Sequence, residues 1–184
     1  MAISFILTNV IYRFAHKLFA KYRLFLSRFE QQDKLEEDMF SQPSQKPIVI
    51  IGMGRVGMGA YQAINSHSTN PAWGLDADKD KITWLTGKGV EAYYGDAEDI
   101  HFWESMDLSK LELVLLALPS VQDAISITTQ LNAANYRGKI AAVARYDDER
   151  LQLEEFGIDK VFNFYTEAGV GFAEESLDLL PKKS

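Results

Sequence analysis

Four consecutive β-branched residues, Ile48-Val-Ile-Ile51, run without a break into Gly52-Met-Gly-Arg-Val-Gly57. A strand-forming run that stops on Gly-x-Gly-x-x-Gly leaves the chain few options, because each glycine at that spacing answers a steric demand. Gly52 permits a tight turn from strand into helix, and Gly54 lets backbone approach a pyrophosphate. Gly57 lets the following helix lie close on the strand. An anion seated there meets free N–H groups at the positive end of the helix. Glycine-rich turns follow many strands, so the surroundings must agree. Here they do: Met58 to Ser66 reads as helical, and Trp73-Gly-Leu-Asp76 ends in an acid about 20 residues on, where such a turn places a ribose acceptor. The stretch reads as a nucleotide-binding turn rather than a purely structural one.

Beyond Lys46, apolar strand-like runs alternate with helical ones, the pattern of a parallel α/β sheet. Strands are expected at Ile48–Ile51, Ala72–Leu75, Glu91–Tyr94, Leu113–Leu118, Ile140–Ala144 and Lys160–Phe164. The helices expected are Met58–Ser66, Lys79–Thr86, Glu98–Met106, Val121–Asn135, Asp148–Phe156 and Glu167–Leu179. Leu113 to Leu118 lacks polar alternation, which predicts burial of both its faces. The fold class is therefore α/β, a Rossmann-like doubly wound parallel sheet of about six strands, preceded by an N-terminal amphipathic helix.

That N-terminal segment stands apart electrically. Residues 1–30 carry Arg13, Lys17, Lys21, Arg23 and Arg28 against Glu30, a net +4, which leaves −11 on the rest of a chain whose total is −7. The segment lacks the basic start and small-residue cleavage site of a signal peptide. Arg13 interrupts its apolar run well short of the roughly 20 residues a membrane span needs. A basic helix lying on a membrane surface fits better, with a helix docked on the globule or on a partner as the alternative. Residues 31–46 read as a linker and 47–184 as the folded domain. An acidic globule repels a phosphate backbone, so no nucleic-acid partner is expected.

Asp76 is expected to accept from an adenosine ribose and to repel a 2′-phosphate, or else, with Asp78, to cap the next helix. Arg55, inside the glycine loop, can reach phosphate oxygens or lie solvated on the first helical turn. Gly95-Asp96-Ala97 follows the third strand and would border an adenine, unless Asp96 is a helix cap. Leu118-Pro-Ser120 ends the fourth strand and closes the same pocket without specific chemistry. Arg145 ends the fifth strand, facing the crevice or a partner, with a surface ion pair to Asp147 or Asp148 as the plainer reading.

No catalytic residue is assigned. The chain contains no Tyr-x-x-x-Lys couple, no Gly-x-Ser-x-Gly elbow, no phosphate-binding Gly-Lys-Ser/Thr and no His-Glu-x-x-His. It has no cysteine, and His16, His67 and His101 are scattered, so no metal site is expected. A nucleotide sensor explains this pattern best. A small NAD-dependent oxidoreductase and a membrane-attached scaffold with a vestigial pocket are the alternatives.

Gly52-Met-Gly-Arg-Val-Gly57, Leu75-Asp-Ala-Asp78, Tyr94-Gly-Asp-Ala97 and Ala144-Arg145 occur in order over residues 46–165. Together they resemble the TrkA-N, or RCK, domain that regulates potassium channels and transporters, and most of all the C-terminal cytosolic domain of Kef-type potassium/proton antiporters. Ile3 to Glu30 is similar to the end of the last membrane helix and the following linker in those antiporters.

The resemblance implies a regulatory module without ion conduction, on the cytoplasmic face of a bacterial inner membrane. It would work as a homodimer beside a Kef-type transport subunit. The ligand would be NAD(H) or AMP/ATP. The cofactor-binding set is then Gly52, Met53, Gly54, Arg55, Val56, Gly57, Asp76, Ala77, Asp78, Asp96, Ala97, Leu118 and Arg145. Arg55 and Arg145 match arginines of glutathione-controlled Kef proteins. Val143 stands where those relatives often carry another arginine, a departure that weakens the case for glutathione control.

Overall fold

β1 (Ile48–Ile51) is buried along its whole length, as four β-branched residues at the centre of a sheet should be. It pairs in parallel with β2 (Ala72–Asp76) on one side and β4 (Leu113–Leu116) on the other. The computed structural model describes residues 46–180. The expected amphipathic helix over 1–30 and nearly all of the linker lie outside them. Outward from the centre, β3 (Ala92–Tyr94) flanks β2, while β5 (Lys139–Ala144) and β6 (Lys160–Asn163) follow β4. The result is a six-stranded parallel sheet in the order β3-β2-β1-β4-β5-β6, the doubly wound arrangement expected.

The helices between strands are α1 (Arg55–His67), α2 (Lys79–Thr86), α3 (Ile100–Glu104), α4 (Val121–Ala133) and α5 (Asp147–Phe156). A short 3-10 turn, Leu108–Lys110, precedes β4, and α6 (Phe164–Leu177) leaves the end of β6. Two boundaries differ usefully from expectation. α1 begins at Arg55 rather than Met58, so the last glycine of the loop is already helical. α6 begins at Phe164 rather than Glu167, because the Asn163 side chain accepts from Thr166 N–H at 3.2 Å and starts the helix directly off the strand.

Right-handed crossovers place α1 and α2 over β1–β3 on one face, and α4 and α5 over β5 and β6 on the other. Ile48, Ile50, Met53, Ala72, Ile82, Leu85 and Ala92 form the core under α1 and α2. β4 departs from its expected burial on both faces. Val114 and Leu116 are buried, but Leu113 and Leu115, on the opposite face, are half-buried. Parallel register carries that partly open face across Ala141, Val143 and Phe162. The winding explains the difference: among the described helices, none crosses β4–β6 on the face that α1 and α2 cover over β1–β3.

Candidate functional site

The site forms where β1 and β4 diverge, the point in a doubly wound sheet at which neighbouring connections leave to opposite faces. Gly52 turns the chain there with φ +88°, and its N–H donates to Leu75 O at 2.9 Å. A Cβ at Gly52 would sit 2.7 Å from Ala117 O, and one at Gly57 would sit 2.0 Å from Gly52 O. Protein packing alone therefore demands both glycines. Gly54 is different: a Cβ there would meet nothing within 4 Å. The fold does not require that glycine, and the space above it is open.

No side chain caps α1, whose first intrahelical bond runs from Met58 N–H to Gly54 O at 2.9 Å. The N–H groups of its first turn have no acceptor within the helix and form a positive end beside that open space.

Asp76, at the tip of β2, holds the loop from the other side. Its Oδ2 accepts from Met53 N–H at 2.8 Å and from Lys81 Nζ at 2.8 Å, and its Oδ1 accepts from Asp78 N–H at 2.9 Å. Across the crevice, the loop after β3 is pinned by aromatic packing. A Cβ at Gly95 would strike the Phe102 ring at 2.7 Å, and buried Trp103 donates from Nε1 to Ala97 O at 2.7 Å. Asp96 Oδ1 accepts from Glu98 N–H at 2.9 Å, which closes the turn.

Gly52, Gly54, Asp76, Ala77, Asp96, Ala97 and Leu118 all line one cavity of about 380 Å³. Arg55, Val56 and Arg145, again with Gly54 and Leu118, line a second one of about 340 Å³ beside it, toward β5 and β6. Gly54 and Leu118 thus border both halves of the crevice. The remaining expected residues contribute differently. Met53 points into the core against Gly74, leaving only its backbone at the loop. Gly57 is buried in the first turn of α1, against Gly52. Asp78 lines neither cavity, and its carboxylate caps α2 by accepting from Lys81 N–H at 3.0 Å.

Arg145 pairs with Glu149 rather than with Asp147 or Asp148. Its Nη2 donates to Glu149 Oε1 at 2.7 Å and its backbone N–H to Oε2 at 2.8 Å. Glu149 lies one helical turn on and satisfies side chain and main chain together, whereas Asp147 accepts from Arg150 and Asn163. The hydrogen bonds from Arg145 hold the Glu149 carboxyl below its ordinary range, and Glu149 in turn raises the Arg145 guanidinium. Arg55 has no ion-pair partner among the described residues, so its charge is available to an anion.

A model of the TrkA-N domain matches residues 48–164. The chain belongs to the TrkA-N family. The glutathione-regulated potassium-efflux system protein KefC of Cronobacter sakazakii is 29% identical over 133 residues, covering 72% of this chain and 21% of that protein. This TrkA-N chain thus spans about a fifth of the length of the curated relatives it matches. The crystal structure of the TrkA-N domain of inner membrane protein ybaL from Escherichia coli superposes with a TM-score of 0.59 at 25% identity, covering 74% of this chain and 97% of that one. The Kef C-terminal domain of Shewanella denitrificans, solved in its AMP-bound form, gives a TM-score of 0.59 at 20% identity, covering 74% and 82%.

Sequence reasoning missed several residues that line the cavity in this TrkA-N domain, notably Lys81, Glu98 and Asp123. Lys81 lies five positions beyond Asp76, and the turn between β2 and α2 is what folds it back. Asp123 carried a readable signal, since Ser120-x-x-Asp123 is a capping pair, with Ser120 Oγ donating to Asp123 Oδ1 at 2.8 Å. Among the described residues, no helix is long and apolar enough to cross a membrane.

Proposed function

We propose that this TrkA-N domain is a nucleotide-sensing regulatory module for a potassium channel or a Kef-type cation/proton antiporter, itself neither an enzyme nor an ion conductor. The observation that carries the reading is Gly54. It is the one glycine of the fingerprint whose missing Cβ serves no contact within the protein, and it faces open space beside free helical N–H groups. A pyrophosphate or phosphate placed there accounts for it. The adenosine would lie toward Asp76, Asp96 and Ala97, with Arg55 on the phosphates. Arg145 and Leu118 would border the second half of a dinucleotide. The ligand is NAD(H) or an adenine nucleotide, in line with the AMP-bound Kef domain.

Pairing of two copies belongs to the same reading. Its support is an apolar groove of about 450 Å³ on the open face of β4–β6, where Leu115, Val143, Phe162 and Phe164 meet α1. The occupant would be α6 of a second copy, which has no buried residue in the single chain and exposes Val170, Phe172 and Leu177. Residues 1–30 would lie at the cytoplasmic face of the membrane, with 31–46 as linker and 47–184 as domain. Nucleotide controls the partner only if it binds one arrangement of the pair better than another.

The test is calorimetric titration of the full chain with NADH, NAD, AMP and ATP, with sedimentation at each saturation. Saturable binding by a dimer, without turnover, is the expected result. A folded chain that binds none of the four overturns the sensor reading, and steady NADH oxidation with a carbonyl acceptor would point to an oxidoreductase instead.

A further inference from the structure

Asp76 is a crowded acceptor, and one of its donors is unlike the others. Two of the three, Met53 N–H and Asp78 N–H, are backbone groups held by the glycine loop and the start of α2. The third is the ammonium of Lys81, at the end of a flexible side chain that is 36% exposed, against 10% for Asp76. A carboxylate offers about four lone-pair positions, so one remains for a ligand, on Oδ1. Lys81 is the donor that can move. It is also the one basic residue lining a cavity that holds the carboxylates of Asp76, Asp96, Glu98 and Asp123.

We propose that Lys81 is a specificity-determining residue, which lets the ribose end of this cavity accept adenosine nucleotides carrying a 2′-phosphate as well as those with a free 2′-hydroxyl. The proposal rests on the nucleotide reading above. With a free hydroxyl, the ammonium stays on Asp76 Oδ2 and the ribose donates to the open position on Oδ1. An acid at this position without a cation beside it repels a 2′-phosphate. Here the ammonium can swing from Oδ2 to the phosphate, where it offsets the repulsion between two anions and gains a charge-assisted hydrogen bond. The ribose acceptor and its countercharge are then a pair, and the pair tolerates both ligands.

Calorimetric titration of the full chain with AMP and with adenosine 2′,5′-bisphosphate, at low salt, tests this. Wild type should bind the two within about tenfold of each other, because the lost hydroxyl contact and the gained ionic one are of similar size. Lys81→Met should weaken the bisphosphate by about tenfold or more, the scale of one charge-assisted hydrogen bond, while AMP changes by less than about threefold. Lys81→Arg should keep both affinities, with circular dichroism confirming the fold of each variant. Equal losses of both ligands in Lys81→Met would overturn the proposal, since Lys81 would then only shape Asp76. So would a wild-type chain that binds AMP and refuses the bisphosphate. A wild-type chain that binds neither ligand overturns this proposal, and the nucleotide reading falls with it only if NADH, NAD and ATP also fail to bind.

Discussion

In β1 and β2 every residue except Asp76 is buried, whichever face of the sheet it points to, whereas in β5 and β6 only alternate residues are buried. The first half of the sheet is a finished structure. β1 and β2 are covered, the loop after β1 is locked by Gly52 and Gly57, and half-buried Asp76 has three protein donors. The second half keeps an apolar face that the described part of the chain does not cover. At its carboxyl ends, half-exposed Arg145 and the more sheltered Glu149 hold each other. In the proposed function, the first half positions a nucleotide and the second meets another copy.

The sharpest way to break this contrast is inside the glycine loop. Gly57→Val drives a Cβ into the Gly52 carbonyl, with backbone on both sides and nowhere to relax. It should cost about 3 kcal/mol or more in urea unfolding, at the upper end of overpacking effects. Gly54→Ala, three positions earlier, should change stability by no more than about 0.5 kcal/mol, since its Cβ enters open space. Its nucleotide affinity should nonetheless fall by about tenfold or more, as a phosphate loses a charge-assisted contact. Tight binding by Gly54→Ala would remove the phosphate from that position.

Next in size is Asp76→Ala. It strips the acceptor from part-buried Met53 N–H and from exposed Asp78 N–H, and leaving the part-buried donor unpaired costs about 1–3 kcal/mol. Thermal melts should register that cost, and titration should register weaker binding of adenosine nucleotides. A variant with unchanged stability would mean that water replaces the carboxylate at no cost.

In the second half the expected pattern reverses. Phe162 is 46% exposed, so Phe162→Ser should leave stability within about 0.5 kcal/mol. Nucleotide affinity should also hold, while sedimentation shows the dimer dissociating at higher protein concentration. Unaltered self-association would show that this face is not where copies meet.

The smallest effect is electrostatic. Because Arg145 lowers the Glu149 carboxyl in the folded chain, the contact contributes stability above the ordinary glutamate range and loses it as pH falls through the lower folded value. Wild type should therefore melt slightly above Glu149→Gln near neutrality, and the two should converge once the pH has fallen below the lowered folded value. Solvent exposure keeps the difference small. A gap that persists at low pH would assign the effect to packing instead of charge.

The legible parts of the site were those whose constraint is local in sequence. Gly52 and Gly57 announce a turn and a close approach because their neighbours along the chain impose both. Asp76 follows at a spacing set by the length of α1. Asp78 could be a ligand or a cap by sequence alone, and the backbone geometry at the start of α2 made it a cap. Arg145 had three acids within reach, and the helical rise of α5 chose Glu149. Lys81 was not legible, because nothing in its immediate neighbours says that α2 returns its ammonium to the end of β2.

The order of strands and helices, their parallel pairing and the position of the glycine turn were determined by the sequence, through apolar periodicity and two glycines, Gly52 and Gly57, whose roles are steric and short-range. Burial was decided in three dimensions. Leu113 to Leu118 is apolar throughout and predicts two covered faces, yet Leu113 and Leu115 remain half-open. A run of apolar residues records that both faces prefer to leave water. It does not record which neighbour covers them, and in a doubly wound sheet the handedness of the crossovers puts α4 and α5 together on one side of β4–β6. The same three-dimensional path brings Lys81 onto Asp76 and Arg55 beside Phe164, juxtapositions that no spacing along the chain encodes.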